Sequence, residues 1–465
     1  MNKQSLKQSS EQSFILKGNI CYSKSREELA CIEQGFLVCV DGVSQGVFRF
    51  IPEEYKELEV IDYGDSIIIP GMNDLHLHAP QYTFRGTGMD LELLDWLETY
   101  TFPEERKYEN ADYAKRAYSF FAEDLKNSAT TRAVIFATIH VPGTLFLMDK
   151  LEETGLKTLV GKVNMDRNCA DFLSEQTAEA SLEATRLWLE QSAGRYRHTA
   201  PILTPRFVPT CSDDLLKGLG QIQKEFGLPM QSHLSENLSE IEWVKDLCPW
   251  STCYGDVYRH FGLFGTPEKD SLSLPSSLSS SEPLSSSESL SLSLSESNAK
   301  SIMAHCVYSS EEEIDLMKQH GVYIAHCPQS NSNLASGIAP VRDYLNRNLN
   351  VGLGTDIAGG ASLSMFRCMA DAITVSKLRW RLVDQSLKPL TAEEAFYLAT
   401  IGGGSFFGKV GSFENGYEFD ALVLDDSRMR TAEKLSLKER LERYIYLAEE
   451  SGKLIGKYVG GKQIF

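Results

Sequence analysis

Basic charge is in short supply. The chain's 465 residues carry 46 lysines and arginines against 64 aspartates and glutamates, a formal net charge of −18. Such a surface repels phosphate, which argues against a general nucleic-acid or anionic-membrane binder. A small purine or pyrimidine is not excluded by that balance. Closely spaced thiol pairs are missing as well: the ten cysteines are scattered from Cys21 to Cys368 and none forms Cys-x-x-Cys. We therefore expect free thiols in a reducing compartment, the cytoplasm. No apolar run has membrane length. The longest apolar stretch, AVIFATIHVPGTLFLM, is broken by His140, Pro142 and Gly143 and reads as a buried strand and turn. The opening MNKQSLKQSSEQS has no apolar centre, so no signal peptide is expected, and residues 1–13 read as a disordered tail.

What is present is a globular composition, 42% hydrophobic, with length for one large domain and a smaller one. Phe14 to Ile69 is β-rich, with Asp41-Gly42 as a turn signal. From Leu75 to Asp356, short apolar runs alternate with amphipathic stretches such as NADYAKRAYSFFAEDLKNS. The runs are NDLHLH, TTRAVIFATIH, KTLVGKV, PILTPRFVPT, LPMQSHLSE, SIMAHCVYS, VYIAHCPQS and VGLGTD, which predicts eight strand–helix units and a (β/α)8 TIM-type barrel. Near the end, Thr391 and Glu394 form a capping box for a helix that stops at glycines. The expected division is 14–69 and 401–465 as two parts of one small β-sandwich domain, flanking a barrel at 70–400. Ser271 to Ser297, nearly all serine and leucine, cannot bury enough apolar surface to offset ordering its backbone. It is expected to be a disordered insertion between helix five and strand six, on the barrel face away from catalysis.

Barrel chemistry sits at the C-terminal ends of the strands. His76 and His78 are two apart, so in a strand they face one side and point to a shared cation, most often zinc. His233 ends strand five, His305 strand six and Asp356 strand eight. Five potential ligands from distant segments thus converge on one face. His140 and His326 end strands two and seven, where either a pocket-lining or a structural role fits. His198, His260 and His320 fall in helices or loops and are expected in solvent.

The motifs PGMNDLHLHAPQYTFRGTGMDLELLDWLETYTFPEE, TPRFVPTCS, QSHLSEN, MAHCVY, AHCPQSN and GLGTDIAGG appear in that order. Together they resemble the amidohydrolase superfamily, within it the metal-dependent deaminases that act on guanine. FENGYEFDALVLD and YVGGKQI extend the resemblance to the tail. Cys306 stands where that family usually has glycine. The resemblance implies one zinc per chain held by His76, His78, His233 and Asp356, with His305 either a ligand or a hydrogen-bond partner of the bound water. It implies that Glu236 shuttles protons. It also implies that Gln81, Arg206 and Phe207, with His233 and Glu236, hold the purine. Without the resemblance, Gln81 would read as a loop hydrogen-bonder, Arg206 as a surface ion pair and Phe207 as core.

The expected catalytic groups are Glu236, Asp356 and His305. The expected reaction is hydrolysis of guanine, with water as co-substrate, by a homodimer. Two-metal relatives use a carboxylated lysine on strand four, where ILTPRFV offers only Arg206. Lys162 lies on strand three, where a structural role fits better. The alternatives are a sister deaminase or chlorohydrolase acting on another heterocycle, or a non-catalytic scaffold of the same fold. A scaffold would be marked by a lost ligand, and none is lost.

Overall fold

The structure is a computed structural model and describes residues 12–265 and 300–465. Most of the expected Ser-Leu insertion's surroundings, and all of Ser271–Ser297 itself, lie outside the described residues, as do residues 1–11. The first four strands are β1 (Phe14–Ser23), β2 (Leu29–Val40), β3 (Val43–Phe48) and β4 (Glu59–Pro70). Next come β5 (Met72–His78), β6 (Thr130–Phe136), β7 (Lys157–Gly161), β8 (Val163–Asn164), β9 (Thr199–Pro201) and β10 (Thr204–Pro205). The remaining ones are β11 (Met230–Leu234), β12 (Ser301–His305), β13 (Tyr323–His326), β14 (Asn350–Leu353), β15 (Ala421–Asp425), β16 (Lys453–Val459) and β17 (Lys462–Gln463).

Eight parallel strands run in the order β11-β12-β13-β14-β5-β6-β7-β9. A parallel bridge between Leu203 and Met230 joins the two ends of that order, closing the barrel. The fourth barrel strand is split into β9 and β10. Pro201 and Pro205 lack the N–H that a continuous ladder needs there. Amphipathic helices cover the outside. Helix Ala111–Asn127 buries Ala114, Ala117, Tyr118, Phe121 and Leu125, and Asn110 caps its start by accepting from Asp112 and Tyr113 N–H.

Strands from both chain ends lie in one mixed seven-stranded sheet, ordered β17-β16-β15-β4-β1-β2-β3. Its two faces separate by strand period. Ile67 and Ile69 of β4, with Leu422 and Leu424 of β15, join the core shared with the barrel. Ile68, Ala421 and Val423 join the sheet's own core with Phe14, Leu16 and Tyr458. The C-terminal segment also holds a helix, Leu437–Ser451, which the β-rich reading of 401–465 passed over. Its heptad-like LKERLERYIYLAEES buries Leu437, Leu441, Tyr444 and Ile445. Among the described residues no helix is long and apolar enough to cross a membrane.

Candidate active site

The first barrel strand ends in MNDLHLH, buried throughout. Strand alternation puts His76 and His78 on the barrel's inner side at its C-terminal mouth. His233 on β11, His305 on β12 and Asp356, three residues past β14, reach the same point. His78 Nε2 lies 3.2 Å from His233 Nε2. Asp356 Oδ1 lies 3.3 Å from His76 Nε2 and 3.6 Å from His78 Nε2. Its other oxygen is 3.7 Å from His305 Nε2. All five predicted ligands are therefore together.

Neighbouring groups fix their orientation. His233 Nδ1 faces the Arg206 carbonyl at 2.6 Å, and His305 Nδ1 faces the Asn331 side-chain oxygen at 2.8 Å. Each then turns Nε2 inward. Asp74, buried beneath, accepts from Thr355 Oγ1 at 2.5 Å and from Thr355 N–H at 3.0 Å. The two Thr355 contacts tie β5 to the segment carrying Asp356, and His76 N–H lies 3.3 Å from the same carboxylate within β5. Neither Asp74 nor Asn331 was singled out from sequence, since their partners are hundreds of residues or a strand away.

The donor set fits a metal ion. His76 is buried with no partner for Nδ1 and only the Asp356 carboxylate, 3.3 Å away, beside Nε2, a costly state for a free imidazole. Burial lowers the pKa of His76, His78 and His233, which keeps them in the neutral form that binds metal. Two nitrogens on one tetrahedral zinc, each bonded at about 2.05 Å, would sit about 3.3 Å apart, close to the His78–His233 spacing. Donor atoms of His76, His78 and His233 lie within 4.8 Å of one another, as do those of His76, His305, Cys327 and Asp356. Cys327 is the poorer candidate: its thiol sits against the Ala325 carbonyl, and burial pushes its pKa well up, away from thiolate.

Beside this cluster stand two carboxyls with opposite tendencies. Burial pushes the Glu236 carboxyl up, only partly opposed by His305. Burial also opposes ionisation of Asp356, yet His76 and His305 hold it well below the ordinary carboxylate range. His305 is disfavoured as a cation by burial, but Glu236 and Asp356 lift it above its ordinary value. Glu236 Oε2 lies 3.3 Å from His305 Nε2, and Ser336 Oγ donates to Glu236 Oε1 at 2.9 Å. The pocket over the cluster is lined by Gln81, Arg206, Phe207, His233, Glu236 and Asp356, and walled by Leu93, Trp96, Leu97 and Leu334. Arg206 is buried, not the surface ion pair its sequence context alone suggests.

His140 and His326 do not line this pocket. His140 precedes helix Val141–Thr154, and His326 is buried behind His305, with burial lowering its pKa to about 3. His198 and His320 are part-buried, not free in solvent: His198 N–H donates to Glu152, and His320 Nδ1 faces the Gly265 carbonyl. Both were expected in solvent because their sequence neighbours are polar; the packing partners come from distant segments. Lys162 is fully buried and paired with Glu175, a structural role. Cys306 has φ of 48°, a left-handed conformation that glycine adopts freely.

The Amidohydrolase family model matches residues 67–464. The chain belongs to the amidohydrolase family. It is 37% identical to the guanine deaminase of Dictyostelium discoideum over 417 residues, covering 88% of this chain and 85% of that one. With the guanine deaminase of Escherichia coli K12 it shares 31% identity over 452 residues, 94% of this chain and 92% of the other. A crystal structure of guanine deaminase from C. acetobutylicum, with guanine bound in the active site, matches at a TM-score of 0.87 and 45% identity. That match covers 97% of this chain and 100% of the clostridial one.

Proposed function

We propose that this chain catalyses the hydrolytic deamination of guanine to xanthine and ammonia. The observation that carries the proposal is the likeness, over nearly the whole chain, to a deaminase crystallised with guanine in its active site. The pocket supports it, because it sets acid–base groups and hydrogen-bond donors around a metal-competent cluster. His76, His78, His233 and Asp356 would hold one zinc, with His305 at or beside it. Bound there, zinc would lower the pKa of water from 15.7 to about 7 and make hydroxide available at neutral pH. Asp356, kept ionised, accepts the proton that water gives up. The hydroxyl adds to C2 of guanine. Glu236 protonates the adjacent ring nitrogen, takes the C2 hydroxyl proton as the carbonyl forms and passes it to the amino group, which departs as ammonia, and the proton held by Asp356 restores Glu236. Gln81, Arg206 and Phe207 orient the purine.

We place this chemistry in a barrel spanning 70–400, supported by a small domain made from 14–69 and 401–465. A cytoplasmic homodimer completes the proposal. All ten cysteines are free, which supports a reducing compartment. The dimer rests on the family resemblance and is read by light scattering. The functional test pairs metal analysis with turnover. Purified protein should carry close to one zinc per chain and prefer guanine over adenine and cytosine. His76→Ala and His233→Ala should lose metal and activity together. Full guanine turnover by metal-free protein would overturn the zinc role, and preference for another heterocycle would overturn the substrate.

A further inference from the structure

Glu105 is a buried carboxylate, 3% exposed, that the proposed reaction does not use. It lies on the short helix Phe102–Arg106 and bridges two pocket residues. Its Oε2 accepts from Arg206 Nη1 at 2.6 Å, and its Oε1 accepts from Gln81 Nε2 at 2.8 Å. The same segment supplies Phe102, whose ring lies 5.3 Å beneath the Arg206 guanidinium. Gln81 has a second anchor: its Oε1 accepts from the Ala358 N–H at 3.0 Å, two residues beyond Asp356.

These partners have fixed polarity. An ionised carboxylate only accepts and a backbone N–H only donates. A glutamine amide between them has one satisfactory orientation, oxygen toward Ala358 and nitrogen toward Glu105. Its oxygen is thereby held on the backbone side and its nitrogen on the Glu105 side. Its second N–H has no partner among the described residues. Arg206 has five N–H groups and no acceptor, and among the described residues its guanidinium donates only to Glu105. The polar edge formed by Gln81 and Arg206 is consequently dominated by N–H donors.

We propose that Glu105 is a positioning residue for specificity: by pinning Gln81 and Arg206 it presents N–H donors along that pocket edge and holds the Gln81 oxygen toward the backbone. Such an edge selects a purine presenting a ring carbonyl and unprotonated ring nitrogens. It rejects one that presents an exocyclic amino group at the same place, because two donors would then face each other. Charge neutralisation of buried Arg206 is the plainer role for Glu105. It would govern folding but leave the choice between such substrates unchanged.

The inference rests on the proposed guanine reaction, and the test separates the two. The probe is 2,6-diaminopurine, which keeps the amino group at C2 but carries an amino group where guanine has its C6 carbonyl. Glu105→Gln keeps the shape, but its amide can donate to Gln81 and release the fixed orientation. Glu105→Asp keeps the charge yet is one methylene too short to bridge both partners. In whichever variant folds, zinc content should match the parent and kcat for guanine should stay within about threefold. KM for guanine should rise at least about tenfold, and the kcat/KM preference for guanine over 2,6-diaminopurine should fall at least about tenfold. An unchanged preference in Glu105→Asp, or a loss confined to kcat or to zinc, would overturn the assignment. A parent enzyme inert toward guanine would instead overturn the proposed function.

Discussion

At Glu236 three roles are open to one carboxylate: metal ligand, proton carrier, or support for the helix Leu238–Leu247 that follows it. The structure bears on the third. That helix is capped by Asn237 and Glu240, and Glu240 accepts from the Glu236 backbone N–H at 3.0 Å, so the Glu236 side chain is spared for the pocket. Its carboxyl faces His305 and Ser336 instead. Glu236→Gln preserves shape and removes proton exchange. We expect full zinc content and guanine binding, with kcat reduced by roughly 10²–10⁴-fold, the scale of positioned acid–base catalysis. Zinc content and single-turnover xanthine formation, measured on one sample, decide it. A variant with full zinc and near-parental turnover would refute the shuttle role. Glu236 enters through the family resemblance, three residues after the strand-end His233, and its carboxyl lines the pocket. Glu105 does not, although its segment stands in the quoted motif. Its meaning comes from Gln81 and Arg206, 24 and 101 residues away in the chain, which no local pattern brings together.

Single elements were legible where one period governs them. Alternation along MNDLHLH places both histidines on one face, and the eight apolar runs map onto barrel strands. The fourth run was legible as a strand but not as an interrupted one, since the pairing of β10 with β8 is set by tertiary neighbours. The helix Leu437–Ser451 was passed over although Leu437, Leu441, Tyr444 and Ile445 recur at helical spacing, because strand-like runs on either side set the reading of the whole segment. The capping box at Thr391 was readable from four residues. Thr391 Oγ1 accepts from Glu394 N–H at 3.2 Å, and Glu394 Oε2 accepts from Thr391 N–H at 2.9 Å. The helix it starts, Ala392–Tyr397, leads into Leu398–Gly402, whose Gly402 backs onto the Val351 carbonyl of β14. Thr391→Ala should therefore cost about 1 kcal/mol of stability while leaving guanine turnover unchanged. Chemical denaturation of variant and parent checks it; an unshifted midpoint would mean that the cap carries no net stability.

The whole molecule depends on how the terminal sheet is fastened to the barrel, and Arg132 is the charged part of that joint. It projects from β6, buried at 3% exposure, with Nε 2.7 Å from Asp420 and Nη2 2.8 Å from Glu418. Both acids precede β15 in the sheet, and Lys157 of β7 also pairs with Glu418. Asp420 is fully buried and also accepts from the Gly460 N–H at 2.8 Å. Arg132→Met removes the cation and strands the Asp420 carboxylate, which should cost about 3–5 kcal/mol. Burial alone would raise the Glu418 carboxyl, but Arg132 and then Lys157 lower it to about 2. A depressed carboxyl stabilises the fold above its unfolded pKa of about 4.3 and loses that contribution as pH falls toward its folded value. In the parent, the unfolding midpoint should drop between about pH 4.3 and pH 2 for this reason, among other acids. In Arg132→Met the midpoint at neutral pH should be lower and its fall across that window shallower, because Glu418 then titrates nearer its unfolded value. Thermal unfolding of both proteins across that range provides the measurement. Parallel curves, displaced but equally steep, would show that Arg132 stabilises the joint by packing and not through Glu418.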